Sequence, residues 1–435
     1  MATAPEQKIG PLSTSKIAAA MVAEVESDLP LLMHANKSVQ KPFETAGDGT
    51  VMDVTVPEMP IVGDGAWINE GDPVADHDGI MGTKSHELDY SNKAVPVTLK
   101  QKHVAFGIPS ALEFASIEDM ENLVTKPYGS TLASAIQTEV AESAMNGSAF
   151  TIALAGASKF PTVSTAIAEL RKARAYGKLY GVVGSTLNGV LAGEGIQYFN
   201  PQGNISDIWK SARLGEYNGA EWFTTPDVRD LIIPANAPAA ASTLTVTAGP
   251  TMNVIGKGVN LFGDGSETWL NVGSSYVDSD GAVLDTAPVV GQVLNITGVY
   301  VADIFGEKLT RLYDFKILDR RVVSGNLEIK IKNPGFGDAY FAGPSATLAS
   351  LSVVTGPGTY YRGIIYAQNA LCVAFGRFAK PVNAQVGQYS GQNGVTIRTT
   401  SAYQVMKDRN VTRWDTLVGS NLARPNWACE ILLSA

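Results

Sequence analysis

The sequence predicts a mixed α+β chain built from several folded units and rich in short strands. Its 435 residues allow two to four domains of about 100–200 residues each. The 43 glycines, scattered among Ser, Thr, Asn and Asp, favour short strands joined by turns. One long stretch, residues 130–146, instead has the four-residue spacing of apolar side chains that indicates a helix.

The charge, the cysteines and the apolar runs of the sequence argue against several classes of function. Charged residues make up 17% of the chain, against about 25% in an average soluble domain, which predicts surface that other protein covers. The net charge of −9 argues against a chain whose main task is to neutralise nucleic-acid phosphates. Cys372 and Cys429 lie far apart in sequence, without the spacing of a disulfide framework or a zinc site. We expect no membrane-spanning helix.

The N-terminal region predicts a short amphipathic arm helix over residues 13–35. Ser13 or Ser15 is the expected N-cap, and Pro30 the expected terminator. Residues 17–23 could pass for the core of a signal peptide, but three acidic residues follow by position 28, so we interpret them as part of the helix.

A long acidic connection joins two predicted strands. Residues 52–56 and 95–99 alternate apolar and polar side chains, and Pro96 indicates that the second strand is an edge strand. Between them, residues 57–93 carry eight carboxylates and two lysines, a net charge of −6. Loops of this length in compact domains are usually functional or disordered.

Helices dominate the next part of the sequence. Ser110 and Glu113 have capping-box spacing. The helix over 130–146 is expected to stop at Gly147, and a second amphipathic helix is expected from Pro161 to Gly177. Residues 179–183 then predict a buried strand.

Strand-forming residues prevail in the remainder. Residues 238–334 predict a separate small β-barrel or sandwich, with a turn at 324–326. Strands are expected again over 361–375, 396–399 and 427–433.

Motifs for catalysis or cofactor binding are weak. His34, His77, His86 and His103 lack metal-site spacing, and no nucleophile elbow, P-loop or dinucleotide fingerprint occurs. Residues 278–281 resemble the start of a calcium loop without its closing Glu, so we predict a β-turn. We therefore predict no catalytic residue, no cofactor and no metal site.

The acidic connection has two other interpretations. Asp72, Asp76 and Asp78 could hold a divalent cation, and a carboxylate pair near Trp67 could serve a hydrolase. A solvated charged face explains the same residues more simply.

Four short stretches and the order of the parts carry a family resemblance. The stretches are GQVLNITGV at 291–299 followed by FKIL at 315–318, YFNP at 198–201, and RWDTLVG at 413–419 followed by Pro425, Ala428 and Cys429. Together with the order of arm helix, long loop, long helix, mixed domain and inserted β unit, they resemble the major capsid protein of tailed bacteriophages. The resemblance is greatest to the coat proteins of short-tailed Salmonella-type phages.

The resemblance implies a capsid-shell fold of the Hong Kong 97 type with an inserted β-barrel. It implies an N-terminal arm at 1–44, an extended β-hairpin loop at 45–106, and a peripheral domain with a spine helix at 107–160. After these it implies an axial domain at 161–237, the inserted barrel at 238–334, and a return to the axial and peripheral domains at 335–435. The implied function is a structural, non-enzymatic one, self-assembly into an icosahedral shell around double-stranded DNA.

The implied partners are further copies of the chain in hexamers and pentamers, a scaffolding protein, a portal protein, and packaged DNA bound without sequence specificity. The implied location is the virion capsid, after synthesis in the cytoplasm of a bacterial host. No membrane partner is implied.

We expect the acidic loop and the N-terminal arm to be buried on neighbouring copies. Candidate contacts are Asp72, Asp76 and Asp78 on the loop, opposite either Arg171, Lys172 and Arg174 or Arg409 and Arg413. A secreted β-rich adhesin is the alternative, although we find no export signal. A hydrolase would need a convergent acid/base site, which the histidine-poor later three quarters of the chain do not offer.

Overall fold

The structure is a computed structural model. It describes residues 11–27, 29–36, 51–57, 92–109, 125–154, 159–198, 215–247, 251–252, 267–303, 308–334, 338–341, 346–347, 350–378, 385–391, 393–407 and 409–435. The predicted cap at Ser110 and Glu113 lies outside these residues.

Within these residues the helices are α1 (Pro11–Ser27), α2 (Pro30–Met33), α3 (Lys126–Gly147), α4 (Phe160–Lys172) and α5 (Ser185–Tyr198). The first strands are β1 (Val51–Pro57), β2 (Asn92–Thr98), β3 (Lys100–Pro109), β4 (Phe150–Leu154), β5 (Leu179–Gly184), β6 (Glu216–Tyr217), β7 (Ala220–Thr225) and β8 (Leu231–Ile233). They are followed by β9 (Thr243–Thr245), β10 (Thr251–Met252), β11 (Glu267–Gly273), β12 (Val293–Ala302), β13 (Lys308–Val323), β14 (Asn326–Lys332), β15 (Ala339–Phe341), β16 (Ala346–Thr347) and β17 (Ser350–Val353). The last are β18 (Gly358–Ala367), β19 (Leu371–Gly376), β20 (Gln385–Ser390), β21 (Thr396–Gln404), β22 (Arg409–Leu422) and β23 (Ala428–Ser434).

The predicted α+β class is confirmed, with strands in the majority. Strand pairing groups most of them into three larger sheets, which we call the central sheet, the second sheet and the ribbon-bearing sheet.

The central sheet combines strands from both halves of the chain. Its order is β4-β23-β18-β5-β7-β6, with β8 also paired to β18. The pairs β4–β23 and β5–β7 are parallel, and the other pairs are antiparallel. Strands β5 and β23 are buried along nearly their whole length, and so are the last six residues of β18, as expected for strands covered on both faces.

The second sheet is formed by one continuous stretch of chain. The chain leaves the central sheet after β8 and returns at β18, where Gly358 pairs with Ile233. Between these points the strands have the order β11-β14-β13-β12-β17-β9, with β15 paired to β12. The Thr247 N–H donates to the Asn271 carbonyl at 2.9 Å, so the two outer strands of this sheet approach each other. Strands β15 and β17 lie beyond residue 334, the predicted end of this unit.

The ribbon-bearing sheet has the order β19-β22-β21-β20, with β3 on the other side of β22. Strand β22 is long because its first part pairs with β21 and β3, and its last part with β19. Residues 100–106 of the predicted loop unit form part of β3 in this sheet.

Helix α3 is the predicted long helix, and it ends at Gly147 as expected. Its apolar stripe is fully buried, at Leu132, Ile136, Val140 and Ala144. This stripe packs on β22 and β3 and also reaches β13, β18 and β23, so α3 joins all three sheets.

The N-terminal arm departs from the expectation. Helix α1 begins at Pro11, so Ser13 and Ser15 lie inside its first turns and neither is the N-cap. Its residues Met21, Val22 and Val25 are buried in the core of the same molecule, against α3, β20 and β21. The expectation that the arm is buried on a neighbouring copy is wrong for α1, because its apolar face is already covered by its own chain.

Other elements follow the sequence closely. The predicted turn at 324–326 joins β13 and β14, with Ser324 and Gly325 both at positive φ. Helix α4 ends at Lys172, five residues before the predicted stop at Gly177, because Arg174 adopts a left-handed conformation with φ of 57°. Within the described chain, no helix combines the length and apolar composition needed to cross a bilayer.

Candidate functional site

The predicted contact residues fall into three groups in the structure. Asp72, Asp76 and Asp78 lie outside the described residues, so their surroundings stay a prediction. Arg171, Lys172 and Arg174 lie at the end of α4, which we call the helix-end cluster. Arg409 and Arg413 lie on β22.

The helix-end cluster makes its polar contacts within its own molecule. The Arg171 guanidinium donates to the carbonyls of Ala175 and Gly177, at 3.0 and 3.2 Å, and so caps its own helix. Lys172 Nζ lies 2.6 Å from Glu169, and Arg174 Nε lies 3.0 Å from Asp303. Each of the two side chains thus has a carboxylate partner, which leaves little charge to attract another acidic segment.

The arginines of β22 are arranged differently. Arg409 and Arg413 occupy alternate positions of the strand and therefore share one face of the sheet. Arg398 of β21 reaches the same face and contacts Asp415 through Nη2, at 2.7 Å. Arg413 Nε lies 2.6 Å from the other carboxylate oxygen of Asp415. We call Arg398, Arg409 and Arg413 with Asp415 the arginine face.

Asp415 holds the arginine face together. Burial raises the cost of ionising this carboxyl, but hydrogen bonds from Arg398, Gln101 and Arg413 outweigh that cost and lower its pKa. Asp415 is thus ionised at neutral pH, and the guanidiniums of Arg398 and Arg413 share this buried carboxylate, while Arg409 has no carboxylate partner among these contacts. The face keeps a net positive charge.

The surrounding sheet adds no further carboxylate. Across β3, β19, β20, β21 and β22 there are five Lys and Arg residues and a single acid, Asp415. Lys100 and Lys102 both pair with Glu139 of α3, on the opposite face of the sheet. In a chain of net charge −9, this sheet is a local concentration of positive charge.

The hairpin of β21 and β22 ends in a turn with exposed apolar side chains, of which Tyr403 lies on the opposite face of the sheet from the arginine face. Strands β21 and β22 are joined through the 3₁₀ turn Val405–Lys407, and Gln404 pairs with Arg409 beside it. Met406 in this turn is 97% exposed, and Tyr403 is 52% exposed. Arg409 Nε donates to Gln404 Oε1 at 3.1 Å, which closes the end of the hairpin.

The two-stranded ribbon β1–β2 is fixed to this sheet at its base. Val95, Val97 and Leu99 are buried against β19 and β22 in a small apolar cluster of their own. The close packing of the ribbon on β19 and β22 depends on two glycines. A Cβ on Gly419 would lie 2.8 Å from the Thr98 carbonyl oxygen, and one on Gly376 would lie 2.7 Å from Leu99.

The ribbon runs away from the arginine face. Strand β3 lies along β22 from Val418 to Arg409, and β2 continues in the opposite direction, with the Pro96 carbonyl accepting a hydrogen bond from Asn421. The far end of β2 at Asn92 and the end of β3 at Pro109 are therefore separated by about 55 Å of strand contour. Residues 58–91, which connect the two ribbon strands, leave the described structure at the end remote from Arg409.

A buried ionic cluster joins the second sheet to the central sheet. Lys316 of β13 and Glu430 of β23 are each 1% exposed, and Arg362 of β18 also binds Glu430, at 2.7 Å. Lys316 Nζ donates in addition to Ser148 Oγ at 2.7 Å and to the Met145 carbonyl at the end of α3. These contacts satisfy the buried charges.

Asp314 extends this junction by covering the free edge of β4. Its carboxylate accepts a hydrogen bond from the Thr151 N–H at 2.5 Å and another from Asn295 at 2.6 Å. Its own N–H donates to the Ala149 carbonyl at 3.1 Å, and Arg311 donates to the Thr151 carbonyl. The second sheet is thus joined to β4 and β23 of the central sheet by hydrogen bonds and buried ion pairs.

The remaining predicted sites have no catalytic arrangement among the described residues. His34 stacks on Tyr180 at 4.0 Å, His103 is exposed on β3, and His77 and His86 lie outside the described residues. Residues 278–281 form the predicted turn, with the Asp278 carboxylate accepting from the N–H groups of Asp280 and Ala282. In the part of the chain that the structure describes, no three His, Cys, Asp or Glu side chains form a group that could hold a metal ion.

Sequence reasoning missed two members of the arginine face, Arg398 and Asp415, and it missed the buried cluster around Glu430. Alternation along residues 409–415 could have placed Arg409, Arg413 and Asp415 on one side of a strand. Nothing local indicates that Arg398 or Lys316 faces them, because those contacts depend on which strands pair.

No family model and no curated protein matches the chain. Among solved structures, it is similar to the capsid of Ralstonia phage GP4, with 7% identity, coverage of 92% of this chain and 86% of the other, and a TM-score of 0.43. It is similar to the capsid of the cyanophage P-SCSP1u, with 8% identity, coverage of 92% and 88%, and a TM-score of 0.39. It is also similar to a virus-like particle from Pyrococcus furiosus, with 7% identity, coverage of 96% and 99%, and a TM-score of 0.38. At these identities and with TM-scores below 0.5, the similarities assign neither family nor function to this chain.

Proposed function

We propose that this chain is the major capsid protein of a tailed bacteriophage and assembles into the icosahedral shell that encloses its double-stranded DNA. The observation that carries the proposal is the ribbon β1–β2. Its base is fixed to the ribbon-bearing sheet by close packing on Gly376 and Gly419. The end of the ribbon at Pro57 and Asn92, from which the acidic segment departs, lies at the far end of β2 from the arginine face.

The charge distribution supports contact between copies. Residues 58–91 carry eight carboxylates and one lysine. The arginine face would attract such a segment, and Asn92, where the segment rejoins the described chain, lies about 35 Å of strand contour from the level of Asp415 and about 55 Å from the level of Arg409. A second copy can meet both conditions at once, with its acidic segment on the arginine face of the first. Of the two basic patches, the arginine face is the better binding surface for the acidic segment. The side chains of the helix-end cluster already contact carbonyls and carboxylates of their own chain.

Such a contact is head-to-tail, since the two surfaces differ. Head-to-tail contacts close into rings when the rotation between subunits permits it, and rings are the capsomers of a shell. Many weak contacts of this kind add up to a stable container.

The finer parts of the proposal follow from the family resemblance. The ribbon-bearing sheet with α3 would be the peripheral domain and the central sheet the axial domain. The second sheet would be the inserted barrel, an assignment supported by the hydrogen bond between Thr247 and Asn271 at its outer strands. A scaffolding protein, a portal protein and packaged DNA would be the partners. The location would be the virion capsid, after synthesis in the cytoplasm of a bacterial host.

Electron microscopy of the purified full-length chain tests the proposal. We expect negatively stained shells, tubes or ring-shaped capsomers, with the proportion of assembled material rising with protein concentration. A uniform population of monomers at every concentration and salt condition would overturn it.

A further inference from the structure

We propose that the second sheet determines how firmly the ribbon β1–β2 is held, through a polar bridge that runs from Lys332 through Asn421 to Pro96. The bridge lies within one chain, so it exists whether or not the chain assembles. Through it, a change at β14 of the second sheet reaches the base of the ribbon.

Asn421 of β22 is the centre of the bridge. It is 7% exposed, and both ends of its amide are used. Its Nδ2 donates to the Pro96 carbonyl of β2 at 2.6 Å. Its Oδ1 accepts from Lys332 Nζ of β14 and from the Leu422 N–H, the latter at 2.9 Å. Because a lysine only donates and a proline carbonyl only accepts, a single orientation of the amide satisfies both partners.

Pro96 makes the ribbon depend on this contact. Proline has no N–H, so on the edge of β2 that faces β22 this residue offers a carbonyl alone. Asn421 supplies a hydrogen bond to that carbonyl, next to the buried side chains of Val95 and Val97. A part-buried carbonyl that loses its donor destabilises the contact to which it belongs.

The other end of the bridge lies against the C-terminal end of α3. A Cβ on Gly147 would lie 3.2 Å from Lys332 Nζ, so the ammonium group adjoins the last residue of the helix. Lys316 of the same sheet donates to the Met145 carbonyl there. Cations are favoured at this end of a helix, because its unpaired carbonyls carry partial negative charge. The second sheet and α3 together thus set the position of Lys332, and through it that of Asn421.

A groove of about 690 Å³ separates the two sides that the bridge connects. Helix α3 lines it with Glu139 and Ser143, the ribbon base with Thr98, and the second sheet with Lys330. Across the groove, the ribbon base and the second sheet are not packed against each other. Lys332 and Asn421 line the same groove, and in the described part of the chain their hydrogen bond joins its two walls.

Hydrogen exchange measured by mass spectrometry tests the bridge. The full-length chain is studied at a concentration at which light scattering detects no particles. In Lys332→Met, we expect the amides of residues 92–98 to exchange about threefold faster or more, because a two-stranded ribbon is marginally stable without the surface that holds it. The conservative variant Lys332→Arg keeps a charged donor and should restore most of the protection.

The matched control is Lys330→Met on the same strand. The Lys330 salt bridge to Glu267 lies within the second sheet, so its loss should leave exchange in the ribbon at the wild-type rate.

A second variant shows whether the effect passes through Asn421. Asn421→Ala removes the hydrogen bonds to both Lys332 and Pro96, so the ribbon should exchange faster than in Lys332→Met. Adding Lys332→Met to Asn421→Ala should then produce no further increase, because the two residues act in one bridge.

Four results would overturn the proposal. They are wild-type exchange of the ribbon in Lys332→Met, an equal rise in the Lys330→Met control, a rise of the same size in β4, β18 and β23, and effects of Lys332→Met and Asn421→Ala that multiply in the double variant. Because the chain is measured unassembled, any of these results leaves the shell proposal standing. Failure to find shells by microscopy likewise leaves the bridge standing.

Discussion

Lys316 Nζ lies 2.5 Å from Glu430 Oε2, and neither side chain reaches solvent. One belongs to the second sheet and the other to the last strand of the central sheet, so a single ion pair spans two parts of the chain that are more than a hundred residues apart. Arg362 shares the same carboxylate, which gives Glu430 two cationic partners. Burial disfavours the ionised form of Glu430, but the attraction of Arg362 and Lys316 outweighs burial and lowers its pKa.

Replacing Lys316 by Met should destabilise the chain strongly. The change leaves Glu430 buried with one cation fewer, and breaking a buried pair costs about 3 kcal/mol or more. Urea unfolding of the purified chain, followed by tryptophan fluorescence, measures the loss. The matched control is Lys330→Met, which breaks the exposed pair with Glu267 and should cost less than about 1 kcal/mol. Equal losses in the two variants would contradict the role of burial.

Acid should weaken the fold through Asp415 and Glu430. Both pKa values are lowered in the folded chain, so the stability that these groups contribute is present above about pH 4, their ordinary unfolded range, and is lost as pH falls through the lowered values. Asp314 acts in the opposite sense, because burial raises its pKa. The urea midpoint should therefore fall between pH 5 and pH 2, by less than Asp415, Glu430 and Glu139, whose pKa values are all lowered, would give without Asp314.

The variant Asp415→Asn checks the acid prediction. It removes one of the two groups, so its urea midpoint should depend less on pH over the same range than that of the wild type. At neutral pH the variant should be less stable by about 2 kcal/mol, since charged hydrogen bonds to Arg398 and Arg413 are lost. Identical pH dependence in variant and wild type would show that groups other than Asp415 cause the loss of stability in acid.

Adding a side chain at the ribbon base should detach the ribbon. In Gly419→Val, the new side chain would collide with Thr98 and Val97, and overpacking of this kind costs about 1–3 kcal/mol. We expect faster proteolytic cleavage near residues 92–99 and loss of assembled particles in the microscope. Gly189→Ala in α5 is the control, since an added Cβ there has no neighbour within 4 Å. Cleavage at the wild-type rate in Gly419→Val would show that the ribbon base is not held by this contact.

Reversing the charge of the acidic segment should impair assembly. The triple variant Asp72→Lys/Asp76→Lys/Asp78→Lys is expected to assemble poorly at low salt, where charges on the two surfaces interact over about 10 Å or more. Mixing it with a second variant, Arg409→Glu/Arg413→Gln, should restore particles, because each variant supplies the surface that the other lacks. Light scattering measures both. Reversal of the helix-end cluster, Arg171→Glu/Lys172→Glu, should not rescue, and normal particles from the triple variant alone would remove the charge hypothesis.

The two cysteines should be unreactive in the folded chain. Burial raises the pKa of Cys372 and of Cys429 to about 12 in each case, so almost no thiolate forms at pH 8. Ellman's reagent should label neither thiol in the native protein and both after unfolding in guanidinium. Rapid labelling of either thiol in the native state would contradict the packing of β19 or β23.

The sequence predicted elements best where local pattern and tertiary packing agree. The long helix over 130–146, the strand over 179–183, and the turn at 324–326 all have strong local signals, and all are present. Helix α5 was not predicted, because its glycines obscure the helical period and its stability comes from burying Leu187 and Leu191. Strand β3 was not predicted either, because it owes its conformation to pairing with β22.

The candidate site was predictable only in part. Arg409 and Arg413 could be named from the sequence as basic residues near the C-terminus, but so could Arg171, Lys172 and Arg174. What separates them is the position of nearby acids, namely Glu169 and Asp303 beside the helix-end cluster. Which acids lie beside which basic residues depends on how the strands pair and where the chain turns back. The order of residues in the sequence does not give that information.

The closed junction between β8 and β18 has a practical consequence for engineering. Because Ile233 and Gly358 are paired neighbours, the stretch between them leaves and rejoins the central sheet at one place. Its β13–β14 turn, at Ser324 and Gly325, has open space around the glycine and follows the end of β13, whereas Asp314 lies near the middle of that strand. A foreign peptide grafted at that turn would be carried on every copy of the chain, which makes the turn a natural position for antigen display.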